Sequence, residues 1–185
     1  EPRRFPYRCR PFERLLIWPY GGMNVAMVRR ACFDRVGAFA ESLTAGEDWD
    51  LWLRVSQHFE FANLDEPLAT YRQMPSAARA ARRATGPDSF RCVLDGLFAD
   101  ETRLQGYSQE WRRRWQRRAY ASLEITVALM GHGSPFGHVL AAARQSLAAL
   151  ALRWRAVAFL LLGSARVPAI RGRLAQVGRA KGTRL

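Results

Sequence analysis

Three carboxylates and two indoles fall within thirteen residues, AGEDWDLWLRVSQ, running from Ala45 to Gln57: Glu47, Asp48 and Asp50 sit beside Trp49 and Trp52. A carboxylate flanked by apolar bulk can act as a general base, taking the proton of a hydroxyl as that oxygen attacks. Acids at the start of a helix have a second use, because they complement the helix dipole and cap free N–H groups. A third chemistry, metal binding by Asp48-x-Asp50, fails on geometry. The apolar residues Trp49, Leu51, Trp52, Leu53 and Val55 predict a buried helix here. Residues i and i+2 of a helix point about 200° apart, so the two aspartates diverge and cannot share a cation.

Other residue types offer less. The three cysteines, Cys9, Cys32 and Cys92, have no C-x-x-C spacing, which removes zinc-ribbon and redox-motif readings. His58, His132 and His138 show no metal spacing and read as structural. The odd cysteine count argues against a disulfide framework and fits a reducing cytoplasm.

The elements that must position the acids come from a chain of 185 residues, 49% of them apolar, enough for a real core. The formal charge is +13, and its distribution divides the chain. Residues 1–75 hold 10 Arg and 10 acids, whereas residues 76–185 hold 18 Arg, one Lys and 6 acids. Two regions are therefore expected: a neutral one over 1–75 with the acid cluster, and an Arg-rich helical one over 76–185.

In the first region NVAMVRR reads as a strand or a turn, RACFDRVGAF as a short helix ending near Gly37, and FEFANL and LATYR as strands on either side of Pro67. This predicts a mixed α/β layer. In the second, SFRCVLDGLFADETRL places Phe90, Val93, Leu94, Leu97 and Phe98 on one helical face. The next helix starts at a Ser108 cap, carries Trp111 and Trp115 at i, i+4, and ends at Gly131 and Gly133. Pro135 suits the first turn of a further long helix, and a helical hairpin results. A last basic segment runs from Val167 to Leu185.

The ordered string from Asn24 to Arg72 carries a further expectation. Asn24, Arg29-Arg30, Val36-Gly37-Ala38-Phe39, Glu47-Asp48-Trp49-Asp50-Leu51, Arg54, Pro67-Leu68 and Tyr71-Arg72 follow one another in an order that resembles the second half of the catalytic domain of family 2 glycosyltransferases, of GT-A fold. The likeness covers about residues 13–75. It implies an α/β fragment, the acceptor side of a GT-A-like domain, followed by an all-α basic tail. It also implies an inverting transfer of sugar from a nucleotide-sugar donor to a cell-envelope or lipid-linked glycan.

In that resemblance Asp48 is the general base. Glu47 orients the acceptor or its loop, Asn24, Arg30 and Trp49 fall in the substrate-binding set, and Arg72 pairs with the diphosphate. Trp49 and Trp52 have a competing use as core, and Asp50 is expected to cap backbone. Two departures stand out. Only 46 residues precede Glu47, too few for a nucleotide-binding half with its metal-holding D-x-D. A divalent metal, Mg or Mn, is thus expected of a full-length parent and not of this fragment. Met74 also stands where many relatives place a His two residues after Y-R.

The opening EPRRFPYRCRPF has no apolar signal core and no initiator Met, so the chain reads as a piece of a longer one. AVAFLLLGSA, Ala156 to Ala165, is shorter than the ~20 apolar residues of a spanning helix. WRRRWQRR joins two tryptophans to five arginines, a composition suited to anionic headgroups. The expected setting is the cytoplasm, at the inner face of the membrane. Nucleic acid is not an expected partner. The other functions this sequence suggests are an inactive fragment serving as a partner module and a basic helical module that binds membrane surfaces.

Overall fold

The computed structural model describes residues 8–18, 23–64, 66–70, 76–131, 133–153 and 157, with the backbone alone over 76–85. In chain order these form strand β1 (Arg8–Cys9), α1 (Phe12–Ile17), a 3-10 turn (Met23–Val25), α2 (Arg30–Val36), α3 (Glu47–Ser56), strand β2 (Phe61–Ala62), α4 (Ser76–Ala99), α5 (Gln109–Leu129), α6 (Pro135–Gln145) and α7 (Leu147–Leu152).

The architecture is helical, which overturns the α/β fragment expected for 1–75. Among the described residues the extended structure is one antiparallel ladder of two residues per strand, pairing Arg8 with Ala62 and Cys9 with Phe61. FEFANL contributes only Phe61–Ala62 to it. NVAMVRR forms the 3-10 turn and then an irregular run, and Leu68–Thr70 pair with nothing extended. The physical reason is that strand propensity is realised only against a neighbouring strand, and a two-stranded ladder is marginal by itself. The end of LATYR, Tyr71 and Arg72, lies outside the described residues.

The core takes side chains from both sides of residue 75. Phe12, Leu15 and Leu16 of α1 and Trp49, Trp52 and Leu53 of α3 pack in one cluster with Val93, Leu94 and Leu97 of α4 and Trp115 and Leu123 of α5. α1 is tied on both flanks. The Trp49 indole N–H donates to the Leu15 carbonyl at 2.7 Å, and the Ser122 hydroxyl of α5 donates to the Ile17 carbonyl. Phe12 lies parallel to Trp111, with ring centroids 5.9 Å apart, and the Trp111 N–H reaches Glu13 at 2.8 Å.

The helical region follows the spacing of its residues. Val93, Leu94 and Leu97 are buried on the expected face of α4. Ser108 caps α5 by accepting from the Trp111 backbone N–H at 3.1 Å. α6 starts with Pro135 in its first turn after a Ser134 cap. The single long helix expected after Pro135 is instead broken at Ser146, whose hydroxyl leaves α6 extended and caps α7 through the Ala149 N–H. Arg153 then pins α7 back to α5. Its Nη1 donates to the Ser122 carbonyl, the Ser122 hydroxyl and the Thr126 hydroxyl at 2.7, 2.9 and 2.6 Å. Its guanidinium lies 4.4 Å from the Trp18 ring centroid. Burial pulls its pKa down to about 10. The segment Val167 to Leu185 lies outside the described residues.

The approach to α3 depends on a glycine. Gly46 occupies the N-cap position with φ 77°, a left-handed conformation that side chains resist. A Cβ there would also lie 2.8 Å from Cδ1 of Phe90. Gly46→Ala is therefore expected to cost about 2 kcal/mol or more, from αL strain plus overpacking. The shift of the urea midpoint measures it, and a change under about 0.5 kcal/mol would show that the loop before α3 can be rebuilt.

Candidate functional site

α3 places the three acids in its first turn. Trp49, Leu51, Trp52, Leu53 and Val55 are all buried, so the helix is fixed on nearly every side. Asp50 does not cap backbone, contrary to expectation: Gly46 is the N-cap residue, and the first-turn N–H of Trp49 goes to Asp48 instead. The Asp50 carboxylate instead points inward, 7% exposed as a residue. Its Oδ2 takes both Nε and Nη2 of Arg54, at 2.9 and 2.8 Å. Its Oδ1 faces Nη2 of Arg103 at 3.7 Å, an ionic contact beyond hydrogen-bond length.

Arg54 carries this charge pair into the preceding loop. Nη1 donates to the Val36 carbonyl at 2.5 Å and Nη2 to the Ala38 carbonyl at 2.8 Å. These acceptors are at the C-terminal end of α2, where unpaired carbonyls favour a cation. Gly37, at φ 81°, turns the chain so that both carbonyls face one guanidinium. The V-G-A-F turn and the D-x-x-x-R pair of α3 thus form one unit.

Arg103 arrives from the far side. Asp100 accepts from the backbone N–H groups of Thr102 and Arg103 and from the Thr102 hydroxyl, at 3.0, 3.2 and 2.6 Å. These bonds, the Thr102 hydroxyl foremost, hold the Asp100 pKa below its usual value and shape the loop. Gln57 of α3 donates to the Arg103 carbonyl at 2.7 Å. Burial lowers the Arg103 pKa, and the charge of Asp50 opposes that shift. Sequence reasoning missed Arg103. It lies 53 positions beyond Asp50, and the only local signal, Asp100 two residues before Thr102, announces a turn and not a partner.

Asp48 stands on a different side of the helix. It is half-buried, and its Oδ1 accepts from the Trp49 backbone N–H at 2.7 Å. Glu47 is half-buried beside it. Trp49 is 3% exposed and meets Phe90 edge-on at 5.6 Å, so its indole is packed in the core. Asn24 is exposed in the 3-10 turn, and Arg30 is exposed at the first position of α2. Arg72, Met74 and His132 lie outside the described residues.

The divergence of Asp48 and Asp50 denies them a shared metal, and among the described residues no group of three or more His, Cys, Asp or Glu could hold one. His138 has its Nδ1 2.7 Å from Glu124. Cys32 is buried and Cys92 exposed, both as free thiols. A crevice lined by Leu16, Ile17, Trp49, Phe90, Leu123 and Thr126 contains no carboxylate and is apart from the chemistry of α3.

WRRRWQRR reads differently in three dimensions. Trp115 is buried, Trp111 stacks on Phe12, and Arg118 lies over the Trp115 ring at 5.0 Å. Arg112 donates to the carbonyls of Leu104 and Tyr107. What remains exposed is Arg113, Arg114, Gln116 and Arg117, a polar, basic face without its aromatics. Among the described residues no helix is long and apolar enough to cross a membrane.

A comparison with known proteins finds no family model, no curated protein and no solved structure that matches the chain.

The geometry separates the two aspartates in stability. Asp50→Asn strips the carboxylate from two largely buried guanidinium groups and is expected to cost about 2–3 kcal/mol. Asp48→Asn keeps an acceptor for the Trp49 N–H and is expected to cost under about 1 kcal/mol. Urea unfolding of both variants measures the contrast; equal losses would place Asp48 in the structural network.

Proposed function

We propose that this chain supplies the acceptor-side base of an inverting sugar transfer, with Asp48 as that base. The observation that carries the reading is the division between the two first-turn aspartates: Asp50 is committed to Arg54 and Arg103, while Asp48 stands half-exposed on another side of α3. The ordered residues from Asn24 to Arg54 support it, because the turn after α2 and the start of α3 are joined by Arg54. The proposal concerns this helix and its base, not an α/β architecture.

The chemistry is a displacement at an anomeric carbon. The acceptor hydroxyl gives its proton to the Asp48 carboxylate as its oxygen bonds to that carbon. The bond from the anomeric carbon to the diphosphate oxygen breaks, and the nucleoside diphosphate leaves with the electron pair. Glu47, adjacent and half-buried, orients the acceptor. Arg30, exposed at the start of α2, and Arg72 offer guanidinium groups to the anionic leaving group. The donor and its divalent metal belong to a further stretch of polypeptide; the aspartates of α3 do not fit a metal, and no step here uses one. The acceptor class is a cell-envelope or lipid-linked glycan.

Two measurements test the proposal. With the chain joined to a donor-binding half recovered from the adjoining coding sequence, Asp48→Asn is expected to lower kcat by about 100-fold or more, the usual share of general base catalysis. Asp50→Asn is expected to retain turnover at temperatures where it is folded. Turnover surviving Asp48→Asn while Asp50→Asn abolishes it would remove Asp48 from the role. Calorimetry of the chain alone with nucleotide sugars and Mg²⁺ or Mn²⁺ is expected to show no heat of binding, and a micromolar metal-dependent signal would place the donor site here.

A further inference from the structure

The helical hairpin leaves an apolar surface in water. Val139 and Ala142 of α6 are buried, and Ala142 clusters with Ala121 and Ile125 of α5 and Ala149 of α7. The opposite side carries Phe136, 67% exposed, and Leu140, 41% exposed, followed on α7 by Leu147, 71% exposed. Phe136, Leu140 and Arg144 are spaced by four, so they form one strip along α6, and Arg144 is exposed at its end.

Along the sequence, the charge beyond Glu124 has one sign. Glu124 is the last acid of the chain, and residues 125–185 contain eight Arg, one Lys and no Asp or Glu. We propose that the outer face of α6 and α7 docks on an anionic lipid bilayer, lying in the plane of the interface. An interfacial helix combines an exposed apolar face with basic charge; here Phe136, Leu140 and Leu147 supply the first and Arg144 the second. α6 has 11 residues, far short of the ~20 needed to span, so it lies on the surface. A nucleic acid would answer the charge but would gain nothing from Phe136, Leu140 and Leu147, since its binding is dominated by phosphate contacts. Trp111 and Trp115 are engaged inside the fold, which moves the apolar contact from WRRRWQRR to α6 and α7. This docking goes beyond the sugar-transfer reading and does not depend on it.

The test is co-sedimentation of the full chain with vesicles. Mixed phosphatidylglycerol and phosphatidylcholine vesicles are expected to pellet the chain, with at least about tenfold weaker partition onto phosphatidylcholine alone. The triple variant Phe136→Gln, Leu140→Gln, Leu147→Gln is expected to lose about tenfold or more on the mixed vesicles while keeping its circular dichroism. The single variant Phe136→Gln, at the end of α6, gives a smaller loss in the same direction and serves if the triple variant misfolds. Partition unchanged by these substitutions, or equal on neutral vesicles, overturns the proposal. So does the absence of vesicle binding alongside tight, salt-dependent binding to RNA that the substitutions leave intact, which would assign the surface to nucleic acid.

Discussion

The Asp50 carboxylate, gripped by Arg54 and faced by Arg103, is the constraint on which the rest of the structure depends. A carboxylate this enclosed is costly unless charge and hydrogen bonds compensate for lost water. Arg54 supplies both, and it spends its remaining donors on the carbonyls of Val36 and Ala38. One side chain therefore closes the end of α2, fixes the turn at Gly37 and holds α3 at a set angle. Arg103 brings a loop between α4 and α5 to the same carboxylate, so the acid helix and the basic helices share an electrostatic centre as well as a core.

That arrangement explains why adjacent acids have different uses. Helical geometry sends Asp48 and Asp50 to different sides, and the two sides meet different surroundings. Asp50 meets the packed side and becomes structural. Asp48 is half-buried on another side, its Oδ1 accepting from the Trp49 backbone N–H. Trp49 and Trp52 hold the helix by packing: Trp49 bonds the Leu15 carbonyl and Trp52 meets Phe61 edge-on at 6.1 Å. The rigidity of the site comes from these indoles, which the resemblance to sugar transferases had left between core and substrate.

Much of the helical structure was legible because it rests on short-range rules. The Gly37 end of α2, the extent of α3, the apolar face of α4 and the Ser108 cap of α5 all follow from spacing and capping within a few residues. The strands were not legible. NVAMVRR has β-branched residues, but a strand exists only where another accepts its hydrogen bonds, and among the described residues Phe61–Ala62 of FEFANL find theirs in Arg8–Cys9. The break at Ser146 was missed because the flanking sequence is uniformly helix-forming and the interruption comes from Ser146 acting as a cap. At the site, the divergence of the two aspartates was readable from helix geometry. The partner of Asp50 across 53 positions was not, since no local pattern encodes a tertiary ion pair.

The account stands or falls on whether Asp50 and Arg54 act as one unit that frames α3. A double-mutant cycle of Asp50→Asn and Arg54→Met, read by urea unfolding, measures this most directly. The expected result is a coupling energy of about 2 kcal/mol, the double variant losing much less than the sum of the single ones. Additive losses, with coupling near zero, would mean that each residue acts alone and that the pair does not frame α3.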